Sequence, residues 1–472
     1  MAGHVQATLT SVCKRWRAVA LNTPTLTALM FLERARYLPF NFVVDNRAKA
    51  GGLESFFRKM GPQLTSRLRS IYCRPLCDPV HETFDFPAPL LESLSLQEER
   101  ALVLRKIETP LFQGHAPRLR YLSLTGMIWV PQNRLSSLTH LHLRVCGFVL
   151  NPESDLMVFL QSSPELTDLV LSMMTFVGPI ADAPYVNLRK LRRLTIDTTL
   201  RKDIRTFMAS VSLAEGTSVL FQHCELLEDE LTSCPGLQLY VAGRAWTRMS
   251  IKFEPTESLC SVIAADAIGG LSGDFARERR WVRPPIVPFL GVRECWIMED
   301  YDPDAMCTFS AAGLRDMLGG LSELETLVVC AWNSAVVLDT LSFPTQRDAD
   351  ARVDLICPRL STLTILARNT RDLDQAMGTP VLREPVPERR RCERVVVGYL
   401  PGFHGSRARH SPLDEFFNSA VEYAELTVYP AMELPEVCTT EAHTFWPKWK
   451  PHTDGLGRMV RIRSLGKRVL YL

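Results

Sequence analysis

No apolar run approaches the roughly eighteen residues that a membrane-spanning helix needs, and the N-terminal stretch shows no basic-then-apolar pattern ending in a small-residue cleavage site. The chain is therefore expected to be soluble and intracellular, in the cytoplasm, the nucleus or both. An excess of charge is missing too: 54 Lys and Arg face 52 Asp and Glu, a net charge of +2. Such a balance carries no polyelectrolyte signature and disfavours nucleic acid or an anionic membrane as the main partner. A disulfide framework is also lacking. The 13 cysteines are odd in number and scattered singly through apolar segments such as VCGF, LVVC and LICP, which suits reduced thiols packed as small hydrophobes.

Several motifs that carry chemistry are approached and not completed. Asp300, Asp302 and Asp304 take the first three ligand positions of a calcium loop, but Ala305 stands where the Gly turn is needed and Ala311 where the bidentate Glu belongs. Cys73, Cys77 and His81 have metal-like spacing without a matching second pair, so they read as ordinary loop residues. GGLSGD has Asp274 where a nucleophile elbow ends in Gly, and SLGKR has Arg461 where a phosphate loop begins with Gly. ERRRCER, Glu388 to Arg394, reads as a solvated loop. No nucleophile, base and oxyanion site assembles, and the expectation is a protein without catalysis, cofactor or metal.

What the chain does have is a phrase that recurs: LLESLSL, RLRYLSL, LTHLHL, ELTDLVL, LRRLTI, ELETLVV and RLSTLTI. The central leucines are Leu94, Leu122, Leu141, Leu169 and Leu194, then Leu327 and Leu363; by subtraction the first intervals are 28, 19, 28 and 25, and the last is 36. Helical patterns precede the phrase, as in NPESDLMVFLQSSPELTDLVL with Leu156, Phe159 and Leu160, in SAAGLRDMLGGLSELETLVV, and in SPLDEFFNSAVEYAELTV. LESFFRKMGPQLTSRLRSIYC fits more loosely. Helix, turn, strand is the unit.

In a strand the second and third leucines of LxxLxL share a face. Each contributes roughly 1.5–3 kcal/mol when buried, but one unit cannot cover its own apolar side and must stack on neighbours. The pattern resembles leucine-rich-repeat proteins. LTHLHLRVC is nearest, with Leu138, Leu141, Leu143 and Cys146 in the LxxLxLxxC form, whereas Met127, Met174, Thr199 or Trp332 takes the last position elsewhere. The resemblance implies an α/β right-handed solenoid with a parallel concave sheet and outer helices, degenerate and uneven, over residues 31–430. Between Thr217 and Trp296 the phrase fades. GLQLYV and GVRECWIM are expected as strands and LCSVIAADAIGGL as one helix, with a break into two sub-solenoids at 277–288 as the competing reading. A strand is expected at Arg394 to Val397, and residues 431–472 as a C-terminal cap or tail.

Near the N-terminus, VCKRWRAVALNTPTL places Val12, Cys13, Trp16 and Val19 on one helical face and then exits through Thr23-Pro24. This stretch resembles the last helix and exit turn of an F-box, so residues 1–30 are expected to be a partial helical F-box, whose Leu-Pro-x-Glu opening would lie before Leu9. The two resemblances together imply a fungal-type F-box and leucine-rich-repeat protein, a substrate receptor of a Skp-cullin-F-box ubiquitin ligase. Its partners would be a Skp-type adaptor, gripped through the helix of Val12, Cys13, Trp16 and Val19, and a protein target held on the concave face. The alternative is an interaction scaffold that joins no ligase. The exposed column of that face is expected to be Ser95, Ser123, His142, Val170, Thr195, Trp296, Val328 and Thr364, flanked by Tyr121, His140, Arg144, Asp168 and Arg193. Of these, His140 and His142 alternate with leucines and are expected to face solvent.

Overall fold

The computed structural model describes residues 38–45, 53–76, 80–98, 110–127, 129–145, 147–148, 152–176, 185–226, 234–254, 259–276, 291–299, 311–342, 356–367, 392–399, 421–428 and 430–439. The F-box-like positions Val12, Cys13, Trp16 and Val19 lie outside them, as do Cys77, Cys146, Asp300, Asp302, Asp304, Ala305, Arg461, the competing break at 277–288 and the stretch 440–472. The chain forms two compact units, Met1–Leu191 with Ser210–Ala214, and Arg192–Ala209 with Glu215–Leu472.

In chain order the strands begin with β1 (Phe40–Asp45), β2 (Leu68–Leu76), β3 (Ser93–Glu98), β4 (Tyr121–Thr125), β5 (His140–Arg144), β6 (Gly147–Phe148) and β7 (Asp168–Ser172). Next come β8 (Thr175–Phe176), β9 (Val186–Leu188), β10 (Arg193–Asp197), β11 (Val211–Leu213), β12 (Ser218–Leu226), β13 (Arg248–Glu254), β14 (Leu259–Ala265) and β15 (Gly270–Ala276). The series ends with β16 (Glu294–Glu299), β17 (Thr326–Cys330), β18 (Thr362–Ala367), β19 (Arg394–Tyr399) and β20 (Val421–Glu425).

In the first unit β1, β2, β3, β4, β5 and β7 pair in that order, all parallel. The register puts like positions side by side: Ile71, Leu94, Leu122, Leu141 and Leu169 form one row, and Cys73, Leu96, Leu124, Leu143 and Leu171 the next. Every member of both rows is buried, as alternation of strand side chains requires. At the other end of this unit the helix α1 (Leu53–Thr65) brings Phe57 against Phe42, Phe84 and Phe86, with ring centroids 4.9–5.5 Å apart. The helix α3 (Pro152–Gln161) follows the one-turn α2 (Val80–Thr83) in the chain. It buries Leu156, Phe159 and Leu160, the residues whose spacing marks its apolar face.

A left-handed corner closes each of several strands. Gly126, Val145 and Met173 in the first unit, and Thr198 and His223 in the second, have φ between 48° and 75°. The corner N–H reaches the end of the following strand, Gly126 N to Arg144 O and Val145 N to Ser172 O at 2.8 Å, and Thr198 N to Gln222 O at 2.9 Å. The variable last position of the repeat comes directly after most of these corners. Met127, Met174 and Thr199 are all buried there, so the site accepts any side chain that fills it.

The second unit has the order β10-β12-β15-β14-β13-β16-β17-β18-β19-β20. All pairs are parallel except β13 with β14 and β14 with β15, which are antiparallel. A three-strand meander thus stands where the leucine phrase fades. Two expectations are corrected here. LCSVIAADAIGGL is β14 and the start of β15, because β-branched Val262 and Ile263 suit a strand and Asp266 builds a turn: its Oδ1 accepts from Ile268 N and Gly269 N, both at 2.8 Å. GLQLYV is the helix α5 (Pro235–Ala242), which follows α4 (Arg201–Ser210). Pro235 sits in its first turn, where a missing N–H costs nothing, and Leu237, Tyr240 and Val241 fall on its buried side.

GVRECWIM is a strand, β16, as its pattern indicates. The helix α6 (Ala311–Gly319) precedes β17, and α7 (Ala331–Ser342) follows it at once, so Trp332 lies in a helix and not at a repeat corner. The strand expected at Arg394 to Val397 extends to Tyr399. After β20, residues 430–435 belong to no helix or strand, and the one-turn α8 (Glu436–Thr439) ends the described chain. Among the described residues, no helix is long and apolar enough to cross a membrane.

Candidate functional site

The sheet face opposite the leucine rows carries the residues expected to recognise a partner, and the register gathers them into rows. In the first unit Ser93, Tyr121, His140 and Asp168 stand side by side on β3, β4, β5 and β7. Ser95, Ser123, His142 and Val170 form the next row, and Gln97, Thr125, Arg144 and Ser172 the third.

These side chains contact one another. The Tyr121 and His140 rings lie with centroids 4.5 Å apart at 35°, and His140 Nε2 meets Asp168 Oδ2 at 3.2 Å. The carboxylate can only accept, so the Nε2 proton points to it. Thr167 Oγ1 also donates to Asp168 Oδ2, at 2.5 Å, and Thr139 Oγ1 lies 2.8 Å from His140 Nδ1. In the next row Ser123 Oγ is 3.1 Å from His142 Nδ1. Through these contacts the serine and the carboxylate are served by different imidazoles.

The expectation of exposure needs correcting. Asp168, Ser123 and Val170 are buried, His140 and His142 are half-buried, as are Ser95 and Tyr121, and Arg144 is exposed. A histidine packed against a tyrosine and tied to a carboxylate loses most of its contact with water, which alternation along a strand cannot reveal. This face is polar and aromatic, with Arg144 exposed on it.

In the second unit Arg193 is half-buried and Thr195 is buried on β10. Trp296, Val328 and Thr364 form a single row across β16, β17 and β18. Trp296 and Val328 are buried and Thr364 half-buried, again against the expected exposure. The cause is the chain's own C-terminal stretch. Ile263, Trp296, Met298, Val328, Cys330 and Leu366 make an apolar cluster with Met432, and Leu426 and Leu434 pack against it.

A polar clasp that no sequence motif marks lies nearby in the same unit. Arg244 donates from Nε and Nη2 to Asp266 Oδ2 at 2.8 and 2.5 Å, and from Nη1 to Thr217 O at 2.8 Å and Tyr240 Oη at 2.6 Å. Its guanidinium lies 4.4 Å from the Trp246 ring centroid. Burial pushes the Tyr240 hydroxyl well above its ordinary range, and that hydroxyl donates to Thr217 O at 2.6 Å. The clasp ties the β14–β15 turn to α5; with every strong donor bonded internally, its chemistry is structural. Tyr240, Arg244 and Trp246 lie close in the chain, but Thr217 and Asp266 join them from more than twenty positions away, and no motif spacing announces the set.

Burial also pushes the thiols of Cys73 and Cys224 up to about 12 and that of Cys438 to about 11. They are therefore protonated and inert at neutral pH. Cys73 lies on β2 and not in a loop, and among the described residues no group of three His, Cys, Asp or Glu is placed to hold a metal. The sequence matches no protein-family model and no curated protein.

Proposed function

We propose that the protein is a non-catalytic substrate-recognition subunit of a Skp-cullin-F-box ubiquitin ligase, with its strands and helices forming a degenerate leucine-rich-repeat solenoid. In this reading the helix of Val12, Cys13, Trp16 and Val19 belongs to the adaptor-binding F-box, and the sheet face opposite the leucine rows holds the target. The observation that carries the target half is the row of Tyr121, His140 and Asp168, with exposed Arg144 two rows further along the same face. Aromatic and Arg side chains held rigid at the centre of a face supply most of the affinity in protein recognition. The adaptor half rests on the VCKRWRAVALNTPTL resemblance alone.

The test is capture of a purified Skp adaptor by the full chain, with the chain's folding checked by a cooperative thermal transition. A stoichiometric complex that Trp16→Ala weakens is the expected result. A folded chain that retains no adaptor overturns the ligase reading and leaves an interaction scaffold.

A further inference from the structure

The second unit's sheet face is occupied by its own chain, and the way it is occupied describes a ligand. From Leu426 at the β20 edge the chain runs back past Leu366 on β18, Val328 and Cys330 on β17, Trp296 and Met298 on β16, and Ile263 on β14. It ends with Cys438 Sγ 3.5 Å from Ser218 Oγ, at the start of β12. In the strand order this route crosses eight gaps between β20 and β12, about 38 Å on a flat sheet.

It is held as a bound peptide would be. Met432 is buried in the cluster and Leu434 and Leu426 pack on it, while Glu433 between them turns its side chain out, 90% exposed. Arg248 Nη1 takes the Glu433 main-chain carbonyl at 2.6 Å, with the Glu433 carboxylate 3.6 Å away. Residues 430–435 run in an irregular path, so the grip comes from side-chain seats, the captured Glu433 carbonyl and the Leu426 N–H donated to Tyr399 O at 2.7 Å. At β19 the sheet makes room: a Cβ on Gly398 would come within 2.6 Å of Leu426 Cδ1.

We propose that residues 426–428 and 430–439 are a resident pseudo-ligand, and that the groove beneath them takes a target segment of the same chemistry: two large apolar side chains flanking one outward acidic residue. Target binding on this unit then requires displacement of the strap, which autoinhibits the groove. The inference rests on the sheet face being the target-binding surface. Its test uses no adaptor, so its failure and that of the ligase reading are distinguishable.

Two thiols report the strap from opposite sides. Cys438 sits on it and Cys330 under it. Cys295 and Cys357 are buried outside the strap cluster and serve as controls. In the full chain all four are expected to alkylate slowly at pH 8. Met432→Asp with Leu434→Asp is expected to raise labelling of Cys438 and Cys330 at least tenfold while the controls stay protected. A synthetic 426–439 peptide added to this variant should bind and protect Cys330 again, and the peptide carrying the same two aspartates should not.

If the variant also exposes the controls, it has unfolded, and a chain with a specific protease site inserted after the exposed Val428 decides the matter. Cut after folding, it should exchange its C-terminal fragment for excess peptide with the controls still protected. Rapid labelling of Cys438 in the uncut chain, failure of the peptide to bind, or exposure of the controls on cutting overturns the proposal.

Discussion

Arg248 and Glu433 are 185 positions apart, yet the guanidinium of one donates to the main-chain carbonyl of the other at 2.6 Å. A carbonyl is indifferent to residue identity, so the contact fixes where the C-terminal segment lies and leaves its side chains free to choose their seats. Arg248 is on β13, in the antiparallel meander that stands where the leucine phrase fades. The meander therefore supplies the anchor for the strap.

Arg248→Met should loosen the strap without disturbing the sheet, because the methionine keeps the apolar stem. A partly exposed hydrogen bond from a charged donor contributes about 1 kcal/mol here. Labelling of Cys438 at pH 8 is expected to rise roughly fivefold, with Cys295 unchanged. An unchanged Cys438 rate would show that the apolar seats alone hold the segment.

Asp266→Ala should be far more damaging. It removes the carboxylate that takes both Arg244 nitrogens and the two turn N–H groups, leaving a guanidinium 2% exposed without its counter-charge. Breaking a buried pair in this way costs about 3–5 kcal/mol. Urea unfolding should show the loss, and replacing Arg244 and Asp266 together should cost less than the sum of the single changes.

Much of the ladder was legible in the chain because LxxLxL encodes both a strand and its register: Leu94, Leu122, Leu141 and Leu169 align as their spacing implies. The row of Trp296, Val328 and Thr364 was legible for the same reason. What covers that row was not, since Met432 and Leu434 reach it from 68 to 138 positions away and no local periodicity encodes a tertiary strap. The meander was missed because its turn depends on Asp266 binding backbone N–H groups, while its alanines suit a helix as well as a strand. Asn133 escaped notice similarly: its amide accepts from Leu111 N and donates to Leu111 O, both at 2.7 Å, a pairing set by position alone.

The left-handed corners make opposite predictions at two equivalent positions. At Gly126, φ is 75° and a Cβ would lie 2.5 Å from Glu98 O, so Gly126→Ala should cost about 1–3 kcal/mol. At Val145 a β-branched residue is held at φ 52°, a conformation that costs roughly 1–2 kcal/mol for L-residues. Val145 is exposed, so little packing is lost on truncation, and Val145→Gly should gain up to about 1 kcal/mol after the entropy cost of glycine. Thermal midpoints moving in opposite directions would bear this out. A loss at Val145→Gly would mean that the valine packs in a way its exposure does not suggest.

The buried thiols give the fold an alkaline limit. Burial raises Cys73 and Cys224 from 9.0 to about 12, and it pushes Cys295 higher still. Below pH 9 these groups are protonated in both folded and unfolded chains, so their contribution to stability is fully present. Above pH 9 the unfolded chain releases the protons and the folded chain keeps them, so unfolding gains free energy as pH rises toward 12. Each thiol adds a slope of at most about 1.4 kcal/mol per pH unit in that window. Unfolding free energy measured in urea should therefore fall by about 2–3 kcal/mol from Cys73 and Cys224 together between pH 8 and pH 10. Cys73→Ala with Cys224→Ala lowers stability at pH 8 by loss of packing, but its decline to pH 10 should be shallower by that same amount, since the other titrating groups are common to both proteins. Parallel declines would mean that these two thiols ionise in the folded state as readily as in the unfolded one.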